Sequence, residues 1–162
     1  MLCGNVVVGA EASIWPNAVV RSEVQEVRIG ARSNIQDFVM LHIALAQPTI
    51  IGEDCLTTHH ATLHGCPTGD RTMVGINATV IDGVDVGANS IVAGHAILID
   101  GSQFPDHMVI AGVPVRVVAA RDCSEANLSN AEFYRRSGAN YANGVHRFES
   151  GERDTNALIA RA

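Results

Sequence analysis

The sequence predicts a mainly β fold, a coil of short parallel strands wound three to a turn, with an α-helix after it. Three observations predict it. Aliphatic residues recur at every sixth position through most of the first hundred residues, compact residues recur in phase with them, and aromatic residues are scarce at 4%. With so few rings the core must be built from aliphatic side chains, which suits regular, repeated packing.

Self-similarity at a fixed period outranks local propensity as a guide to architecture. The leading aliphatic positions are Val8, Ile14 and Val20, then after a nine-residue step Ile29, Ile35 and Leu41. A ten-residue step leads to Ile51, Thr57 and Leu63, and a five-residue step to Thr68. The count of six then holds through Val74, Val80, Val86, Val92 and Leu98, so only Thr57 and Thr68 break the aliphatic column. Glycine often follows the lead (Gly9, Gly30, Gly52, Gly69, Gly75, Gly87), and the fourth residue after it is compact, as at Ala12, Ala18, Ser33, Cys55 and Ala61. A period of six fits neither an amphipathic helix nor a simple alternating strand. It fits a left-handed parallel β-helix of hexapeptide repeats over residues 1–118, with one lead side chain per strand pointing inward. Successive turns then lie about 4.8 Å apart, and no turn buries its core alone.

After Leu98 the pattern decays through Gly101, Pro105 and Gly112-Val113-Pro114. A helix is predicted next, within 119–148. Ser129 and Glu132 have capping-box spacing, and Leu128 with Phe133 has that of a hydrophobic staple. Phe133, Ser137, Tyr141 and Val145 form one stripe, which predicts packing along the outside of the β-helix. Residues 149–162 read as a polar, frayed tail.

Composition excludes several classes. A chain of 162 residues suits one domain, and 47% hydrophobic against 17% charged residues predicts order. A net charge of −6 with no Lys/Arg cluster argues against nucleic acid. No apolar run of about 18 residues predicts a membrane span. No basic-then-apolar leader opens the sequence, and Cys3, Cys55, Cys66 and Cys123 form no Cys-x-x-Cys pair. The expected compartment is the cytoplasm.

The hexad count also places the histidines. Leu41 and Leu63 lead hexads one full turn apart, so His42 and His64 share a column in adjacent turns, with Arg21 one turn earlier. Tetrahedral zinc needs nitrogens about 3.4 Å apart, which two imidazoles on neighbouring rungs reach by tilting. His59 lies two residues after the lead Thr57, on another face. It does not readily reach the pair within one subunit, but in a closed three-fold ring unlike faces meet, and His59 of the next chain completes the set. Asp37 stands one turn before His59 in its column, with Gln36 beside it. Spacing alone leaves open an ordinary surface role for these histidines.

Several segments resemble the γ-class carbonic anhydrase family. They are Ser13-Ile-Trp-Pro16, Val20-Arg-Ser-Glu23, Asn34-Ile-Gln-Asp37, Val39-Met-Leu-His42, His59 through Leu63-His-Gly-Cys66, and Gly112-Val-Pro-Val-Arg116 followed by Asn140-Tyr141. The resemblance spans about residues 4–148. It implies a homotrimer holding zinc, or iron or cobalt, with His42 and His64 from one subunit and His59 from its neighbour. It implies further that Arg21 and Glu23 form an ion pair that helps assemble the trimer, and that Gln36 orients the metal-bound water or bicarbonate. Asn34 and Asp37 support the site, and Tyr141 lies near the pocket. The implied reaction is hydration of carbon dioxide, a small-molecule substrate, to bicarbonate by metal-bound hydroxide.

The sequence departs from the family in four places. Val24 follows Glu23, where the most active members carry a glutamate, and the loop from His42 to Thr49 lacks a carboxylate. Glu26 is then the nearest candidate to pass protons to solvent, and low turnover is expected. Thr57-Thr58-His59-His60 replaces the usual Ile-Gly-His-Gly, which raises the expectation of a distorted corner at His60. The chain begins about one turn later than most relatives, which leaves the edge of the first turn less covered. Two other readings stay open: a hexapeptide-repeat acyltransferase or thioesterase acting on coenzyme A thioesters, and a non-catalytic metal-binding protein.

Overall fold

The computed structural model describes residues 1–147, so the polar tail at 149–162 lies outside the described residues. The chain forms a parallel β-solenoid of about six turns followed by one helix. Its first turns contain β1 (Leu2–Val8), β2 (Ser13–Ile14), β3 (Val19–Ile29), β4 (Asn34–Ile35), β5 (Met40–His42) and β6 (Thr49–Ile51). The middle holds β7 (Leu56–Thr57), β8 (Thr62–His64), β9 (Pro67–Thr68), β10 (Met73–Val74), β11 (Thr79–Val80) and β12 (Asp85–Val86). The end holds β13 (Ile91–Val92), β14 (Ile97–Leu98), β15 (Gln103–Phe104), β16 (Met108–Ala111), β17 (Arg116–Ala120) and α1 (Ser124–Ala142).

The six-residue period is the cause of this stacking. Val20, Leu41, Leu63, Val80 and Leu98 are register partners from turn to turn. So are Ile14, Ile35, Thr57, Val74 and Val92, and Val8, Ile29, Ile51, Thr68 and Val86. From Val20 onward every one of these leads is at most 4% exposed, so three inward columns make one aliphatic core. The nine-residue step after Val20 is absorbed by the long β3. Its first half pairs with β5 and its second with β6, so one strand turns a corner and serves two faces.

The six-residue register continues past Leu98, within the expected 1–118. Phe104 pairs with Val86 and Ile110 with Val92, each six residues beyond the previous lead, and Ile110 is fully buried. Gly101 and Pro105 fall at the turns between these strands and do not end the pattern. Strand β17 then runs back antiparallel to β16 and covers that edge.

One corner column carries a non-glycine residue with positive φ in successive turns, namely Asn17, Phe38, His60, Asn77 and His95, with φ from 57° to 64°. His60, at 60°, adopts the corner its neighbours adopt, so the expected distortion is absent. Its ring stacks on Phe38 at 4.8 Å with an interplanar angle of 4°.

The helix starts earlier than its capping signal. Cys123 is the N-cap and makes no side-chain cap bond, while Ser129 lies inside α1, so the Ser129–Glu132 box does not form. Docking decides the start. Asn127 and Ala131 are buried, and the Asn127 amide donates to the carbonyls of Arg71 (2.7 Å) and Ser90 (3.0 Å). The helix lies on the face of β2, β4 and β7. Of the expected stripe, Ser137 is buried, whereas Tyr141 and Val145 are about half exposed. No helix among the described residues is long and apolar enough to cross a membrane.

Candidate metal centre

Strands β3, β5 and β8 bring Arg21, His42 and His64 into one column on adjacent rungs. The His42 and His64 rings are 4.9 Å apart, centroid to centroid, and tilted by 58°. Backbone hydrogen bonding fixes this spacing. The buried Thr49 hydroxyl donates to the His42 carbonyl at 2.5 Å and accepts from the Gly65 amide at 2.8 Å. Gly65 also donates to the His42 carbonyl at 3.1 Å, so the ends of both histidine strands are tied together. Gly65 has φ of 56° and presses on Ala44, which leaves no room for a Cβ.

Each histidine has a carboxylate partner, but not on the same nitrogen. His64 Nδ1 bonds Asp82, which lies on the next turn. His59 Nδ1 meets Asp37 at 3.1 Å, on the preceding turn. For His42 it is Nε2 that meets Glu23, at 2.9 Å. Glu23 also pairs with Arg21. His42 first and Arg21 after it hold the Glu23 carboxyl below the usual carboxylate range. Asp82 and Thr49 are site residues the sequence reading missed. The register alone locates Asp82, since Leu63 pairs with Val80 and the acid follows two positions later.

Of the remaining predicted residues, Asn34 lies in β4 with Gln36 and Asp37 just after it, and Tyr141 lies in α1. His59 follows β7, while His42 and His64 end β5 and β8. Gln36 is buried, and its amide donates to Asn34 Oδ1 at 2.9 Å, while Asn34 donates to the Cys55 carbonyl at 3.3 Å. Tyr141 packs edge-on against Trp15 with centroids 5.2 Å apart. Another helix tyrosine, Tyr134, also packs edge-on against Trp15, with centroids 5.6 Å apart. Burial first and the Asp37 charge second raise its hydroxyl pKa.

Within one chain, among the described residues, no three His, Cys, Asp or Glu side chains converge as a metal site. Burial pushes Cys55 and Cys66 up to about 12, so both stay protonated and inert at neutral pH and do not serve as thiolate ligands. The donor chemistry nonetheless suits a borderline cation. Two imidazoles sit on adjacent rungs, and His59 and His64 each keep Nε2 available while an aspartate holds Nδ1.

No family-wide sequence profile matches the chain. Individual proteins do. It is 40% identical over 135 residues to a protein of Geobacillus kaustophilus named carbonic anhydrase, covering 83% of this chain and 73% of that one. It is 42% identical over 89 residues to the mitochondrial gamma carbonic anhydrase 1 of Arabidopsis thaliana, covering 51% of this chain and 32% of the relative. The chain spans half the length or less of several curated relatives it matches. Among solved structures, a hexapeptide transferase family protein from Anaplasma phagocytophilum superposes with a TM-score of 0.80 at 28% identity, covering 85% of this chain and 82% of that one.

Proposed function

Because this chain belongs to the γ-carbonic anhydrase-like family of hexapeptide-repeat proteins, we propose that it binds zinc between subunits of a homotrimer and hydrates carbon dioxide to bicarbonate. His42 and His64 of one copy and His59 of the next hold the metal. The observation that carries this reading is the divided donor set: a rung-to-rung pair at 4.9 Å on one sheet and the third imidazole on another. A three-fold ring, in which unlike faces meet, joins the two halves without any change of fold. Apolar exposure supports association on both faces. Ile97 and Ile99 are exposed on either side of Leu98, on the strand that continues the His42–His64 sheet, and Phe38 is 53% exposed beside Asp37.

Zinc held by three neutral imidazoles keeps an open position and makes water acidic enough to attack carbon dioxide near pH 7. The chain supplies the rest. Asp37 holds His59 by its Nδ1, and the Gln36–Asn34 amide pair is fixed beside that face. Glu26 is paired with Arg28 at 2.6 Å, which hinders it as a proton carrier and supports a low turnover.

Metal analysis combined with stopped-flow carbon dioxide hydration tests the proposal. About one zinc per subunit and pH-dependent hydration are expected, and both should vanish in His64→Ala. Full zinc occupancy without hydration leaves a metal-binding protein and ends the enzymatic reading. The transferase-like structural neighbour supports a second reading, acyl transfer from a coenzyme A thioester. Acyl transfer that persists in His64→Ala would favour it.

A further inference from the structure

The two acids facing the histidine pair sit on different imidazole nitrogens. Asp82 meets Nδ1 of His64, whereas Glu23 meets Nε2 of His42. Asp82 is placed by the fold and not by a flexible side chain alone. It follows β11, whose Val80 is the register partner of Leu63, so its Cα lies just past the rung below His64. The next residue, Gly83, has φ of 70° and donates its amide to the Gly65 carbonyl at 2.9 Å, while Gly101 donates to the Asp82 carbonyl at 2.9 Å. The corner carrying Asp82 is therefore stitched to the corner after His64 on one side and to the following turn on the other. The Asp82 carboxylate has His64 as its sole ion-pair partner among the described residues.

We propose that Asp82 is a positioning residue for His64. By accepting a hydrogen bond from Nδ1–H it commits the ring to one tautomer and one orientation, leaving the Nε2 lone pair for the metal. An imidazole whose far nitrogen donates to a carboxylate is a more basic and better oriented ligand. His59 has the same arrangement with Asp37, so both half-sites present Nε2. This inference rests on the zinc reading above, and it names the one acid on the His42–His64 face whose role is to prepare a ligand.

The test uses the full chain as wild type, Asp82→Asn, Asp82→Ala and Asp82→Glu. In metal-free protein labelled with nitrogen-15 at histidine, His64 is expected as the Nδ1–H tautomer in wild type and Asp82→Glu. In the Asn and Ala variants the Nε2–H form should predominate. Zinc affinity, measured by competition with a chromophoric chelator, is expected to fall roughly 10- to 100-fold in the Asn and Ala variants, with partial recovery in Asp82→Glu. Thermal midpoint and oligomeric state serve as the folding control. Asp82→Asn keeps the side-chain volume, so it remains informative if Asp82→Ala misfolds. An unchanged tautomer, or zinc affinity equal to wild type in Asp82→Asn, overturns the proposal. Wild-type protein that binds no zinc overturns the parent reading and this one with it, a result distinct from an unaffected variant of a zinc-binding wild type.

Discussion

Glu23 stands on Nε2 of His42, the nitrogen that faces zinc if His42 binds the metal as His64 and His59 are proposed to. Its carboxylate holds Arg21 and meets His42 at 2.9 Å. A carboxylate on that nitrogen competes with a cation for the same lone pair. Glu23→Asp shortens the reach and should tighten zinc binding about fivefold, the effect of one net hydrogen bond of roughly 1 kcal/mol. Chelator competition measures this, and weaker binding in the variant would show that Glu23 assists the site instead. The same pair illustrates what spacing conceals. Counting sixes places Arg21, His42 and His64 in one column, but it does not say which nitrogen each acid touches. That depends on side-chain length and corner geometry.

At the scale of elements, the strands were far more legible than the helix. Every lead from Val8 to Leu98 has the neighbour its count assigns, because turn-to-turn hydrogen bonding repeats with the sequence period. Only the hexad count loses its signal after Leu98, since Phe104 and Ile110, within the expected 1–118, sit among glycines and prolines that resemble a loop. Tertiary contact, which no local signal reports, set the helix. The Ser129–Glu132 spacing pointed to a start that docking overrides, because Asn127 must reach two solenoid carbonyls 56 and 37 residues away in sequence. Asn127→Ala removes both bonds and leaves those carbonyls facing an apolar neighbour. The expected cost is about 1–3 kcal/mol, read as a lower thermal midpoint and faster amide exchange across α1. Exchange unchanged in α1 would mean that its other contacts, among them buried Ala131 and Ser137 and the Tyr141–Trp15 packing, hold the helix without these bonds.

For the whole molecule, the solenoid explains both what one chain provides and what it lacks. Parallel stacking lines up His42 with His64 on one sheet, and the same winding sends His59 to another, so no described chain closes a metal site by itself. On the proposed function, zinc binding is a property of assembly. The most direct measurement uses two defective chains, His42→Ala and His59→Ala, expressed separately and together with different tags. Each homotrimer should bind no zinc. In mixed trimers the junction that takes His42 and His64 from one chain and His59 from the other is intact, so random assembly should restore about a quarter of the wild-type zinc sites. Zinc bound fully by either variant alone, or none recovered on mixing, would contradict the shared site.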